Sequence, residues 1–174
     1  MYLRQSTASQ EILLGRFVDS GDGDTEKTGL TIANTDIKIW KAGATTLASK
    51  NSGGATHIAN GNYYAVLDAT DTDTLGNLEV HVHVATALSV KREFVVLPAV
   101  TYDAWVLGVT VEPTGPPAVT ANPFSWIAWL GVLNRNKKTQ TATTTALRND
   151  ADSSNIATTT VSDDTTTFTR GEWV

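Results

Sequence analysis

Leu78, Val80, Val82 and Val84 alternate with Glu79, His81 and His83, and this period of two most narrows what the chain can fold into. Successive side chains of an extended strand point to opposite faces, so the pattern describes a strand with one buried and one wet face. Such a strand cannot stand alone, because its apolar row needs a second layer. Residues 89–97 supply a natural partner through the short connection Ala85-Thr86-Ala87. Ile37 and Ile39 set against Lys38 and Lys41 repeat the alternation. Residues 13–18, 30–32 and 63–67 read as further short strands, the last introduced by the turn dipeptide Asn60-Gly61. Asn51-Ser52-Gly53-Gly54 and the polar stretch 68–74 reverse the chain.

Composition points the same way. Threonine is the commonest residue and occurs in runs such as Thr143-Thr144-Thr145, and β-branched side chains favour extended chain. Several short strands with regular turns predict a mainly β protein whose first part, residues 1–98, is an immunoglobulin-like β-sandwich. Residues 102–107 are too few for their period to separate a helical turn from a strand. Pro113, Pro116 and Pro117 make residues 99–122 a Pro-rich linker.

Asn122-Pro123 then carries the start signal of a helix, an N-cap asparagine followed by proline at the first helical position. The helix is expected to run to residue 134 or 136. Its apolar residues Phe124, Trp126, Ile127, Trp129, Leu130 and Leu133 surround the axis instead of forming one stripe. A helix apolar on all sides is buried on all sides. These six residues are therefore the candidate interface, with a neighbouring subunit as the preferred cover over the chain's own sandwich. Residues 142–148, 156–162 and 168–173 follow as a small β-meander, which makes 123–174 an assembly or docking region.

Charge and chemistry exclude more than they identify. The formal net charge of −5 over 174 residues leaves no basic footprint for nucleic acid. The longest apolar stretch, 124–133, is half the length of about 20 residues that a bilayer requires. No cysteine is present, which removes thiol catalysis, disulfides and zinc-thiolate sites. Glu79, His81 and His83 share a strand and resemble the H-x-H ligand pair of cupins, but the glutamate that should follow is replaced by Ala87 and Leu88. His57 is the remaining histidine. Asp19, Asp22, Asp24 and Glu26, and less closely Asp68, Asp71 and Asp73, resemble calcium loops without meeting the fixed ligand spacing. No nucleophile elbow, P-loop or dinucleotide fingerprint occurs. We expect no enzyme activity, no cofactor and no metal site.

Residues 28–38 (TGLTIANTDIK), 50–57 (KNSGGATH), 67–76 (LDATDTDTLG) and 94–103 (FVVLPAVTYD) together resemble a domain of tailed-bacteriophage virion proteins. Residues 147–152 (LRNDAD) and 162–173 (SDDTTTFTRGEW) look like the closing hairpin of phage structural proteins. The resemblance implies a structural role at the neck or tail, as a connector-associated or short-fibre protein. Its partners would be itself, as a homo-oligomer, and portal, adaptor or tail proteins, in a virion assembled in the host cytoplasm. It brings no catalytic residues. A capsid decoration protein is one alternative. A carbohydrate-binding host-recognition module using Trp40, Tyr63 and Tyr64 is another.

Overall fold

A computed structural model describes residues 1–109 and 111–174; Thr110, inside the expected linker, lies outside the described residues. The chain divides into two compact units, Met1–Leu107 and Gly108–Val174, and is mainly β.

The first unit contains β1 (Tyr2–Arg4), β2 (Gln10–Arg16), β3 (Ile37–Lys41), β4 (Ala48–Ser49), β5 (Ala55–Ala59), β6 (Asn62–Leu67), β7 (Gly76–Val82) and β8 (Val90–Leu97). A helix, α1 (Ala99–Trp105), follows β8. The strands form a five-stranded sheet in the order β1-β8-β7-β3-β4 and a three-stranded sheet in the order β2-β6-β5. The alternation in the sequence becomes the inner face of the larger sheet, where Ile37, Ile39, Leu78, Val80, Val82, Phe94 and Val96 are all buried. Ile12, Leu14, Tyr63, Ala65 and Leu67 from the smaller sheet join them in one core.

Tyr63 is fully buried, and its ring meets that of Phe17 edge-on at 5.3 Å between centroids. Its hydroxyl accepts from the Leu30 N–H at 2.8 Å and donates to the Lys27 carbonyl at 3.2 Å. A buried phenol needs such partners, and these two tie the segment before β3 to the core. Residues 30–32, read as a strand from their sequence, make only the isolated bridge between Ile32 and Ala55. Asn60 and Gly61 both adopt positive φ, 50° and 69°, and close the β5–β6 hairpin as their sequence requires.

Two features of this unit are long-range. β1 runs parallel to β8, with Leu3 opposite Val96, so the polar N-terminus places one leucine in the core. α1 belongs to the first unit, where Asp103 forms a two-point pair with the Arg4 guanidinium at 2.7 and 2.8 Å.

Lys50 is buried although nothing local marks it as such. Its ammonium donates to the Ser52 carbonyl and lies 3.8 Å from the equally buried Asp71 carboxylate. That carboxylate also accepts from the Asn51 and Asp68 N–H groups at 2.8 and 3.1 Å. Asp71 thus pins the 51–54 turn to the 68–74 turn at the rim of the core.

The second unit contains α2 (Pro123–Arg135), β9 (Lys138–Gln140), β10 (Thr144–Arg148), β11 (Asn155–Asp163) and β12 (Phe168–Arg170). The strands form an antiparallel sheet in the order β12-β11-β10-β9, the expected meander with β9 added. Its apolar face carries Leu147, Ala157 and Val161, with the buried Thr145 and Thr159 directly opposite each other. The segment at Glu112 is tied to this unit, because the Glu112 carboxylate accepts from Asn136 Nδ2 at 2.6 Å and from the Asp150 N–H at 2.7 Å.

Asp71→Ala is expected to lower the unfolding free energy by about 3–5 kcal/mol, since it strands a buried ammonium and two N–H groups. Asp73→Ala removes an exposed pairing with Lys41 and an exposed hydrogen bond from the Thr74 hydroxyl, and should cost less than about 1 kcal/mol. Urea denaturation of both variants measures the contrast. The Thr145 hydroxyl is buried and has no hydrogen-bond partner among the described residues. Thr145→Val should therefore raise stability by about 1 kcal/mol, which the same assay reads as a higher midpoint at unchanged slope.

Candidate functional site

Local chemistry starts and stops α2 where the sequence indicates. Asn122 Oδ1 accepts from the Phe124 and Ser125 N–H groups at 3.0 and 3.1 Å, and Pro123 fills the first helical position, where no N–H is needed. At the other end the Asn136 N–H donates to the Val132 carbonyl at 2.9 Å. The Asn136 side chain leaves the helix and donates to Glu112 and to the Arg148 carbonyl, both in the same unit.

Between Asn122 and Asn134 there is no charged residue. One face of the helix lies on the sheet, where Trp129 and Val132 are buried against Leu147 and Ala157. Leu133, Ile156 and Trp173 are partly buried around them. The opposite face stays open: Trp126 is 38 % exposed, Ile127 63 % and Leu130 55 %. The six candidate interface residues are thus sorted by the sheet. Trp129 and Leu133 turn toward it, Phe124 is half-buried, and Trp126, Ile127 and Leu130 face outward. Within its own unit the sheet covers one side of α2, because a single sheet reaches only one side of a cylinder.

Gly131 lies beside that open face, and a Cβ at its position would meet nothing within 4 Å. It borders a groove of about 320 Å³ lined by Val111, Pro113, Ala128 and Val132, with Arg135 and Asp150 paired at 3.1 Å in its wall. Reading the sequence for apolar residues passes over Gly131. The signal that finds it is a glycine in a helix interior, where it costs about 1 kcal/mol relative to alanine.

The other candidate residues are placed apart or occupied by their own neighbours. Glu79 and His81 lie on the outer face of β7, 3.2 Å apart, and Glu79 also pairs with Lys91 at 3.0 Å. The hydrogen bond from Lys91 holds the Glu79 carboxyl below its ordinary range. His83 follows the end of β7 and meets the Ser89 hydroxyl at 2.9 Å, while His57 is exposed on β5 beside Tyr63. Among the described residues no three metal-ligating side chains gather into a group that could hold an ion.

In the acidic loop, Asp19 pairs with Lys27 and Glu26 with Arg16. Asp22 accepts from the Thr25 hydroxyl at 2.5 Å and from the Asp24 and Thr25 N–H groups at 3.0 Å. Asp68 likewise accepts from Asn51, Ser52, Thr70 and Asp71. These carboxylates serve as turn acceptors.

Of the aromatic residues considered for sugar stacking, Tyr63 is in the core and Tyr64 is half-buried. Trp40 donates through Nε1 to the Ala44 carbonyl at 2.8 Å and borders a shallow hollow with Leu47, Glu79 and His81. No helix among the described residues is long and apolar enough to cross a membrane. No protein-family model matches the chain, and no curated protein or solved structure matches it.

The Asp22 carboxyl is held down to about 2, first by the Thr25 hydroxyl and then by the loop N–H groups. Its folded value lies below the ordinary aspartate value of about 4, so its contribution to stability is present above that pH. The contribution is lost as the pH falls toward about 2. Carboxyl-carbon NMR should show Thr25→Val moving the Asp22 midpoint upward, toward the ordinary value.

Proposed function

We propose that this chain is a non-enzymatic structural component of a tailed-phage particle, placed at the neck or tail and acting through subunit contacts. The observation that carries the reading is α2, uncharged up to Asn134, whose Trp126, Ile127 and Leu130 are left exposed by the four-stranded sheet of their unit. Contiguous exposed apolar side chains that include tryptophan mark contact surfaces, and aromatic anchors dominate the energy of such surfaces. The sequence resemblance to phage virion proteins supplies the particle.

In this reading the first unit is an immunoglobulin-like sandwich that serves as a spacer or binding module. Its support is strand order. The order β2-β6-β5 opposite β8-β7-β3-β4 follows the B-E-D and G-F-C-C′ arrangement of immunoglobulin domains. No cysteine is present to bridge the sheets, and apolar side chains such as Leu14 on β2 and Val80 on β7 fill the core.

The test is incorporation into particles. Ile127→Asp and Leu130→Asp place a charge on the open face of α2 without touching the core formed by Trp129 and Val132. Each should leave the circular dichroism spectrum unchanged and reduce the amount of chain in purified particles by about tenfold or more, the effect of desolvating one unpaired charge. Quantitative immunoblotting of particles reads the result. Normal incorporation of both variants would move the contact elsewhere on the chain.

A further inference from the structure

Asparagine or aspartate stands directly before glycine at Asn60-Gly61 and Asp22-Gly23. A glycine has no Cβ to shield its own N–H, so its nitrogen can reach the side-chain carbonyl one residue back and close a succinimide ring. Both dipeptides carry this chemistry in the sequence. The fold permits it at one of them.

At Asp22-Gly23 the nucleophile and its target are both engaged. The Gly23 N–H donates to the Asp19 carbonyl at 2.8 Å, and the Asp22 carboxylate is held by Thr25 and the Asp24 N–H. Other asparagines are restrained in the same way. Asn51 Nδ2 donates to Asp68 at 2.8 Å, and Asn149 Oδ1 accepts from the Ser153 and Ser154 N–H groups at 2.7 and 3.1 Å. Asn60 differs. Its side chain is exposed, and among the described residues neither that side chain nor the Gly61 N–H has a hydrogen-bond partner. The turn ends β5, which is the edge strand of its sheet and whose register with β6 shifts between His57 and Ala59. Such an edge opens locally at little cost, which gives the Gly61 nitrogen the freedom to turn onto the Asn60 side chain.

We propose that Asn60 is a site of spontaneous deamidation that converts the tip of the β5–β6 hairpin to isoaspartate. The Gly61 nitrogen gives up its proton to hydroxide and bonds to Asn60 Cγ; the bond from Cγ to the side-chain nitrogen breaks, and ammonia leaves. Water then adds to one of the two imide carbonyls. Opening at the side-chain carbonyl gives aspartate, and opening at the main-chain carbonyl gives isoaspartate, whose main chain runs through Cβ and Cγ. Water is consumed and ammonia released, with no oxidant or cofactor.

The product alters a close fit. The Gly61 carbonyl accepts from the Phe17 N–H at 2.8 Å, and a Cβ at Gly61 would lie 2.6 Å from the Phe17 carbonyl. A turn lengthened by one main-chain carbon cannot keep Gly61 in this place, so the tie between the hairpin and the residue after β2 is released. The inference is independent of any contact made by α2.

Peptide mapping by mass spectrometry of the folded full chain, incubated at mildly alkaline pH, tests the site. The peptide holding Asn60 should gain the mass difference between NH2 and OH at least about tenfold faster than those holding Asn51 or Asn149. An isoaspartate-specific methyltransferase should label that peptide and leave the one holding Asp22 unlabelled. Asn60→Gln should abolish both signals. Hydrogen exchange at the Phe17 amide should quicken in the aged chain and stay unchanged in freshly prepared Asn60→Asp, which has the charge without the longer main chain. An Asn60 that stays intact, deamidation led by Asn51 or Asn149, or a product without isoaspartate would each overturn the assignment. Unchanged Phe17 exchange in the aged chain would overturn the released tie.

Discussion

Each sheet in this protein is apolar on one face, and that face must be covered by something other than water. The first unit meets the requirement with two sheets that cover each other, around Tyr63, Leu14, Val80 and their neighbours. At about 25 cal/mol per Å² of apolar surface, this mutual burial is the dominant favourable term for a unit with no disulfide. The turns that connect the sheets are then free to be polar. They are held by carboxylates, Asp71 in the interior and Asp22 and Asp68 at the surface.

The second unit meets the same requirement with a helix, and there the balance is unequal. A four-stranded sheet offers one face to one side of α2, and Trp129 and Val132 satisfy it. The remaining apolar side chains of the helix exceed what the sheet can reach. This surplus connects the folding problem to the proposed function, in which the face left over by the unit's own packing is the contact surface.

The residues that attract attention as chemistry are taken up by structure. Glu79 and His81 belong to a cross-strand array in which Lys38, His81 and Lys91 lie in one register row and Trp40, Glu79 and Glu93 in the next. The sign alternates along the strands, so the opposite charges meet on the diagonal, as Glu79 and Lys91 do at 3.0 Å. The acidic loops act similarly, because an aspartate that accepts two N–H groups is a turn device. The sequence shows these residue types but not their partners, which come from other strands or from the far side of a turn.

What the sequence determined by itself is local. The period of two in residues 78–84 sets which side chains of β7 face inward; Asn60-Gly61 makes its turn; Asn122-Pro123 starts α2. Each depends on a backbone preference or a side chain within a few residues, and so it can be read from neighbours. Tertiary structure alone decided that Tyr2–Arg4 pairs in parallel with β8, that Lys50 is buried against Asp71, and that Trp129 and not Trp126 faces the sheet. These depend on contacts between residues distant along the chain, and α2 is apolar on every side, so its own pattern does not choose a face. The choice was made by the sheet it meets.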